Sequence, residues 1–151
     1  MASRFQPAPI VDASRKVCGD IEQVVRLFPH YHRYASGARL RAQAETVMVH
    51  ASRAIKHPDQ RPREVALLLD SIDDLMDRLQ VCKLAKAFSF KRGFSHFERL
   101  VVAIEGLGAQ AGGWKRSFRQ HPIVQNAQAN SVAQRDTKLS TPAALVTGAN
   151  P

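Results

Sequence analysis

Apolar residues recur along the first 118 positions of the chain at alternating steps of three and four. That spacing lines one face of an α-helix with side chains able to enter a core. Val17, Ile21, Val24 and Phe28 mark a helix over about 14–28, stopped by Pro29. Leu40, Ala44, Val47, Met48, Ala51 and Ile55 mark a second over 33–57, ended by His57 and Pro58. Val65, Leu68, Ile72, Leu75, Leu79 and Cys82 mark a third over 62–88, where Pro62 and Glu64 open the helix in the way N-termini favour. At 1.5 Å per residue it measures about 40 Å. A fourth runs over 94–118 through Phe97, Leu100, Ile104, Leu107, Ala111, Trp114 and Phe118. The short link HPDQR makes the second and third helices antiparallel neighbours. The pattern therefore predicts an all-α, antiparallel up-down four-helix bundle over 14–119. A flexible extension over 1–13 precedes it, and a tail over 120–151, rich in Gln, Asn, Ser, Thr and Ala without a period, reads as disordered.

The fourth helix crosses GLGAQAGGWKRSF (106–118), with four glycines in eight positions. Preceded by RLVVAI, the glycines could form a phosphate loop after a strand. That reading fails, because no second strand is available and Trp114 follows Gly113 where a phosphate loop needs lysine. The apolar stripe also continues through the glycines in phase. Each glycine costs a helix on the order of 1 kcal/mol relative to alanine, so bare patches at Gly106, Gly108, Gly112 and Gly113 predict close approaches on two faces.

Charge narrows the partners. The net charge is +9, the pI about 10.3, and 15 of the 22 basic residues are arginine, the side chain suited to bidentate phosphate contacts. A GC-rich genome would also raise arginine and alanine together. Antiparallel packing sorts the cations by end. Arg53 and Lys56 fall with Arg61, Arg63, Lys115, Arg116 and Arg119 at one end; Arg39, Arg41, Lys83, Lys86, Lys91 and Arg92 lie at the other. From Arg78 to Arg119 there are nine basic residues against two acidic ones, a surface for nucleic-acid backbone that does not read bases. Tyr31, Tyr34 and Phe90 are the few aromatics available for stacking, which gives single-strand recognition little support. Leu67, Val81, Leu84, Ala85 and Phe88 lie off the main stripe of the third helix and predict a second apolar face for an oligomer or a protein partner.

Catalytic chemistry finds no constellation. Asp70, Asp73, Asp74 and Asp77 lack the matching Glu and Glu-x-x-His sets of di-metal bundles. The six histidines are scattered, and Ser36, Ser89 and Ser95 have no nucleophile-elbow context. The expectation is a non-enzyme with no metal and no cofactor. No apolar run approaches the ~20 residues that span a bilayer, and the start of the chain lacks a secretory pattern. With Cys18 and Cys82 read as reduced thiols, a cytoplasmic location is expected.

Three segments carry a resemblance: FPHYHRYASGARL (28–40), KLAKAF (83–88) and GAQAGGWKRS (108–117). Together they resemble the four-helix-bundle family that includes the accessory variability determinant, Avd, of diversity-generating retroelements, across about residues 17–118. The most specific element is Gly112-Gly113-Trp114; Phe28-Pro29 and Arg33 followed by Gly37 resemble the family's Phe-Pro and Arg…Gly pattern. The resemblance implies a protomer in a homo-oligomeric ring, typically a homopentamer, without enzymatic activity. It implies binding to a reverse transcriptase, template RNA and cDNA in support of mutagenic reverse transcription. Gly108, Gly112, Gly113 and Trp114 would set packing, and Lys83 keeps the charge of a position commonly arginine. Ser36, where a leucine is usual, and Ala109, where a basic residue is common, depart from the pattern and bear on polymerase docking. Proteins encoded in ribosomal-RNA intervening sequences share the bundle and are one alternative; a generic basic helical nucleic-acid-binding protein is another.

Overall fold

The computed structural model describes residues 9–119. Helix α1 is Pro9–Val25, α2 is His30–Tyr34, α3 is Ser36–Lys56, α4 is Arg61–Leu84 and α5 is Gly93–Arg119, with a 3-10 turn at Pro58–Gln60. Four of these are long helices, and no strand occurs among the described residues. The chain divides into two compact units, the first ending at Lys115; of the second, only Arg116–Arg119, the last turn of α5, is described. No described helix is long and apolar enough to cross a membrane.

The buried positions repeat with a common rhythm. In α3 they are Gly37, Leu40, Ala44, Val47, Ala51 and Ala54; in α4 they include Val65, Leu68, Ile72, Leu75, Leu79 and Cys82. Helix α1 buries Ile10, Ser14, Val17, Ile21 and Val24, and α5 buries Phe97, Leu100, Ile104, Leu107 and Ala111. Steps of three and four average 3.5 residues, the period that keeps one seam of a helix facing its neighbours along its length. The seams of all four long helices meet in one hydrophobic cluster. The polar contacts between α3 and α4 fix their relative direction. Gln43 donates to the Ser71 carbonyl, His50 meets Glu64, and Arg61 reaches the Ala54 carbonyl. Partners descend α4 as they ascend α3, so this pair is antiparallel.

Several boundaries depart from the sequence reading. Helix α1 begins at Pro9, inside the expected flexible extension, because Ile10 and Val11 enter the core and proline is at ease in a first helical turn, where its missing N–H has no partner to lose. The second expected helix is broken at Ala35 into α2 and α3. Ala54 is buried in α3 while Ile55 is 36% exposed, since the buried seam continues from Ala51 by a step of three where the expected stripe took a second successive step of four. Helix α4 stops at Leu84, short of 88. The expected tail over 120–151 and the first eight residues of the expected extension lie outside the described residues.

At the end of α1, Pro29 lacks the N–H a continuing helix would use. Arg33 reaches back from α2, its Nη2 donating to the carbonyls of Arg26 at 2.9 Å and Phe28 at 3.4 Å. The guanidinium thus satisfies carbonyls that the helix end leaves open. Gly37 sits beneath this corner. A Cβ there would stand 2.8 Å from Val25 Cγ1 and 2.9 Å from the His32 carbonyl, so only glycine lets α3 start against the end of α1.

Candidate nucleic-acid interface

The turn over 85–92 joins α4 to α5 and carries three of the expected cations, Lys86, Lys91 and Arg92, all exposed. Ala87 N donates to the Cys82 carbonyl and Lys86 N to that of Lys83. This pair of bonds is the Schellman closure of a helix, in which the residue after the cap turns left-handed. Lys86 occupies that position with φ 64°, where glycine is usual. Arg92 adopts φ 61° immediately before α5. These are the two positive-φ residues among the described residues, and neither is a glycine. The left-handed region brings the Cβ of an L-residue close to the following carbonyl oxygen, and both residues that bear this strain are cationic.

Beneath the turn, Phe28, Phe88, Phe90 and Phe97 form an aromatic base. Phe88 meets Phe28 edge-on at 5.0 Å and Phe97 at 5.4 Å between centroids. Phe88, expected on a second apolar face, is instead half-buried in this cluster, because α4 has already ended and its helical period no longer sets the direction of the side chain. Gly93 closes the turn against it. A Cβ at Gly93 would overlap the Phe88 carbonyl oxygen. Lys83 lies over the rings of Phe97 at 4.6 Å and Phe94 at 5.6 Å, which orients its ammonium at the same end of the chain.

Next to the turn is a groove between the α2–α3 corner and the last turns of α4. Tyr31, His32, Ala35, Ser36, Arg39, Arg78, Val81 and Ala85 line it. Arg78 is positioned by its Nε donating to Gln43 Oε1 at 3.3 Å, and Gln43 is in turn held on the Ser71 carbonyl at 2.9 Å. Arg41 faces Glu22 at 3.6 Å. Among the described residues Arg39, Arg78, Lys83, Lys86, Lys91 and Arg92 pair with no carboxylate, so their charge is available to a ligand from solvent.

At the opposite end one arginine is held within the fold. Arg61 donates from Nε to the Ala54 carbonyl at 2.8 Å and from Nη2 to that of Ile55 at 3.4 Å, closing the last turn of α3. Its guanidinium also stands 5.7 Å from the centre of the Trp114 ring. The arginine and tryptophan are therefore structural partners that tie the α3–α4 link to α5. Arg53, Lys56, Arg63 and Lys115 at this end are exposed and, among the described residues, likewise pair with no carboxylate. Arg116 and Arg119 follow Lys115 in α5 but belong to the second compact unit.

The glycines of α5 are helical throughout, as the unbroken stripe requires. Gly108 faces α4, yet an added Cβ would lie 3.8 Å from Ile72 Cγ2, an ordinary contact, and Gly106 has open space. Neither position forces helices together within this chain. Gly112 and Gly113 are half-buried. The off-stripe apolar residues of α4 separate into Val81 and Leu84, 55% and 81% exposed, near the groove, and Leu67, 37% exposed, several turns away.

Interior polar groups serve the fold. His50 Nδ1 lies 2.9 Å from Glu64 Oε2 between α3 and α4, which explains a buried carboxylate. Burial pushes the Cys82 thiol up, with the Ser36 hydroxyl acting in the opposite direction. Burial, then Glu45 and Glu22, pushes Cys18 up as well. Among the described residues no group of His, Cys, Asp or Glu is arranged to hold a metal ion. The two left-handed cations escaped the sequence reading, because the residue type that normally signals this conformation is glycine. No family model matches the chain, and no curated protein matches it.

Proposed function

We propose that this chain is a non-catalytic accessory of a diversity-generating retroelement, a basic helical scaffold that joins a reverse transcriptase to template RNA and cDNA. The reading rests on the resemblance at Gly112-Gly113-Trp114, Phe28-Pro29 and Arg33…Gly37. The observation that carries its nucleic-acid part is the collection of six exposed cations at the α4–α5 turn and the adjoining groove, which pair with no carboxylate among the described residues. Phosphates condense on such a surface through Coulomb attraction and counterion release, without reading sequence. In this reading the helices form an up-down bundle, Leu67, Leu84 and the glycines of α5 meet neighbouring protomers in a pentameric ring, and the protein works in the cytoplasm.

The decisive experiment is purification of the tagged full chain from cells carrying the element, followed by nuclease treatment. Retention of a reverse transcriptase supports the accessory role. Loss of every protein partner, with nucleic acid bound before the treatment, points to a generic basic binder and overturns it. Light scattering on the same preparation reads the ring, which a monomer would refute.

A further inference from the structure

The groove bordered by Tyr31, Arg39 and Arg78 combines features that a uniform phosphate-binding surface does not need. Tyr31 is 77% exposed and Tyr34 66%, while the phenylalanines around the α4–α5 turn, except Phe94, are at least half withdrawn from water. Among the described residues the ring contact of Tyr31 is a T-shaped one with His32, at 5.3 Å between centroids, and at 77% exposure most of the tyrosine stands open to solvent at the rim. The tyrosine helix is held firmly at its base. Arg33 ties it to the end of α1, and Gly37 packs the following turn against Val25 and Phe28. An aromatic ring on an anchored corner loses little freedom when a ligand stacks on it.

The rest of the groove supplies the complementary chemistry. Arg39 and Arg78 stand on α3 and α4, no carboxylate among the described residues lines the groove, and Val81, Ala35 and Ala85 give it an apolar lining. Two guanidiniums suit an anion, and an apolar surface beside an open ring suits the flat face of a base. In a duplex the bases stack on each other and cannot lie on a protein ring; in a single strand they can. Building on the proposed function, we infer that this groove binds single-stranded nucleic acid, with a base stacked on Tyr31 and the adjoining phosphates held by Arg39 and Arg78. The exposed cations of the turn then extend the backbone track.

The test measures anisotropy of a short labelled oligothymidylate and of a duplex of equal length with the full chain. Tyr31→Ala weakens oligothymidylate binding about tenfold, within the range of base–aromatic stacking, and leaves duplex binding nearly unchanged. Tyr31→Phe, which keeps the ring, retains the affinity. Arg39→Gln with Arg78→Gln weakens both ligands and flattens the salt dependence. Circular dichroism confirms that the exposed substitutions keep the helices. If the wild-type chain binds both ligands and Tyr31→Ala changes neither, the stacking site is wrong while the proposed function stands. If polyglutamate displaces the oligonucleotide as well as unlabelled oligothymidylate does, the groove is a surface for acidic proteins and the inference fails. If the wild-type chain binds neither nucleic acid, the proposed function and this inference fall together.

Discussion

Replacing Lys86 by glycine should stabilise the fold while weakening the nucleic-acid binding proposed for it. Lys86 takes φ 64° after α4, with Ala87 N on the Cys82 carbonyl and Lys86 N on the Lys83 carbonyl. The left-handed conformation costs an L-residue roughly 1–2 kcal/mol. Glycine removes that strain but gives up about 0.5–1 kcal/mol more backbone entropy on folding. The difference leaves a net gain of about 0.7 kcal/mol, or roughly 3 °C in melting temperature for a chain of this size. Lys86→Ala is the control, since it removes the same charge and keeps the strain, so its stability should stay within about 0.5 kcal/mol of wild type. Urea unfolding followed by circular dichroism reads both variants. The midpoint should rise for glycine, stay for alanine, and the slope should not change. Both variants should lose affinity for nucleic acid equally, because both lose one exposed cation. A lower midpoint for Lys86→Gly, or an equal rise for Lys86→Ala, would refute the reasoning that Lys86 carries backbone strain.

Other substitutions probe the remaining supports. Gly93→Ala should destabilise by about 2 kcal/mol or more, because its Cβ would overlap the Phe88 carbonyl and backbone must shift; Gly106→Ala, with open space around it, should stabilise α5 by up to about 1 kcal/mol, and equal midpoints in urea would contradict the contrast. Glu64→Ala should cost about 1–3 kcal/mol by leaving His50 without its partner, and a thermal melt indistinguishable from wild type would show that the pair does not join α3 to α4. Cys18 should alkylate slowly near neutral pH, with its rate still climbing above the ordinary thiol range, because burial and the neighbouring Glu45 and Glu22 favour the protonated form and only the thiolate reacts; a rate that levels off near neutral pH would reverse that sign.

What the linear chain determined by itself was the helices and their inward faces. A repeat of three and four is a local property, so Val65 to Cys82 and Phe97 to Ala111 could be assigned before any neighbour was known, and the stripe kept its phase through the glycines of α5. The excess of positive charge was equally legible, since it is a sum. The tertiary structure decided which cations face solvent without a partner and which are spent within the fold: Arg33 and Arg61 close helix ends, Arg41 meets Glu22, and Arg39 and Arg78 border a groove beside Tyr31. Only the folded backbone could reveal that Lys86 and Arg92, not the glycines, turn left-handed. Each of these depends on distances between residues far apart in sequence or on the torsion of a turn, and neither quantity is written in the spacing of apolar positions.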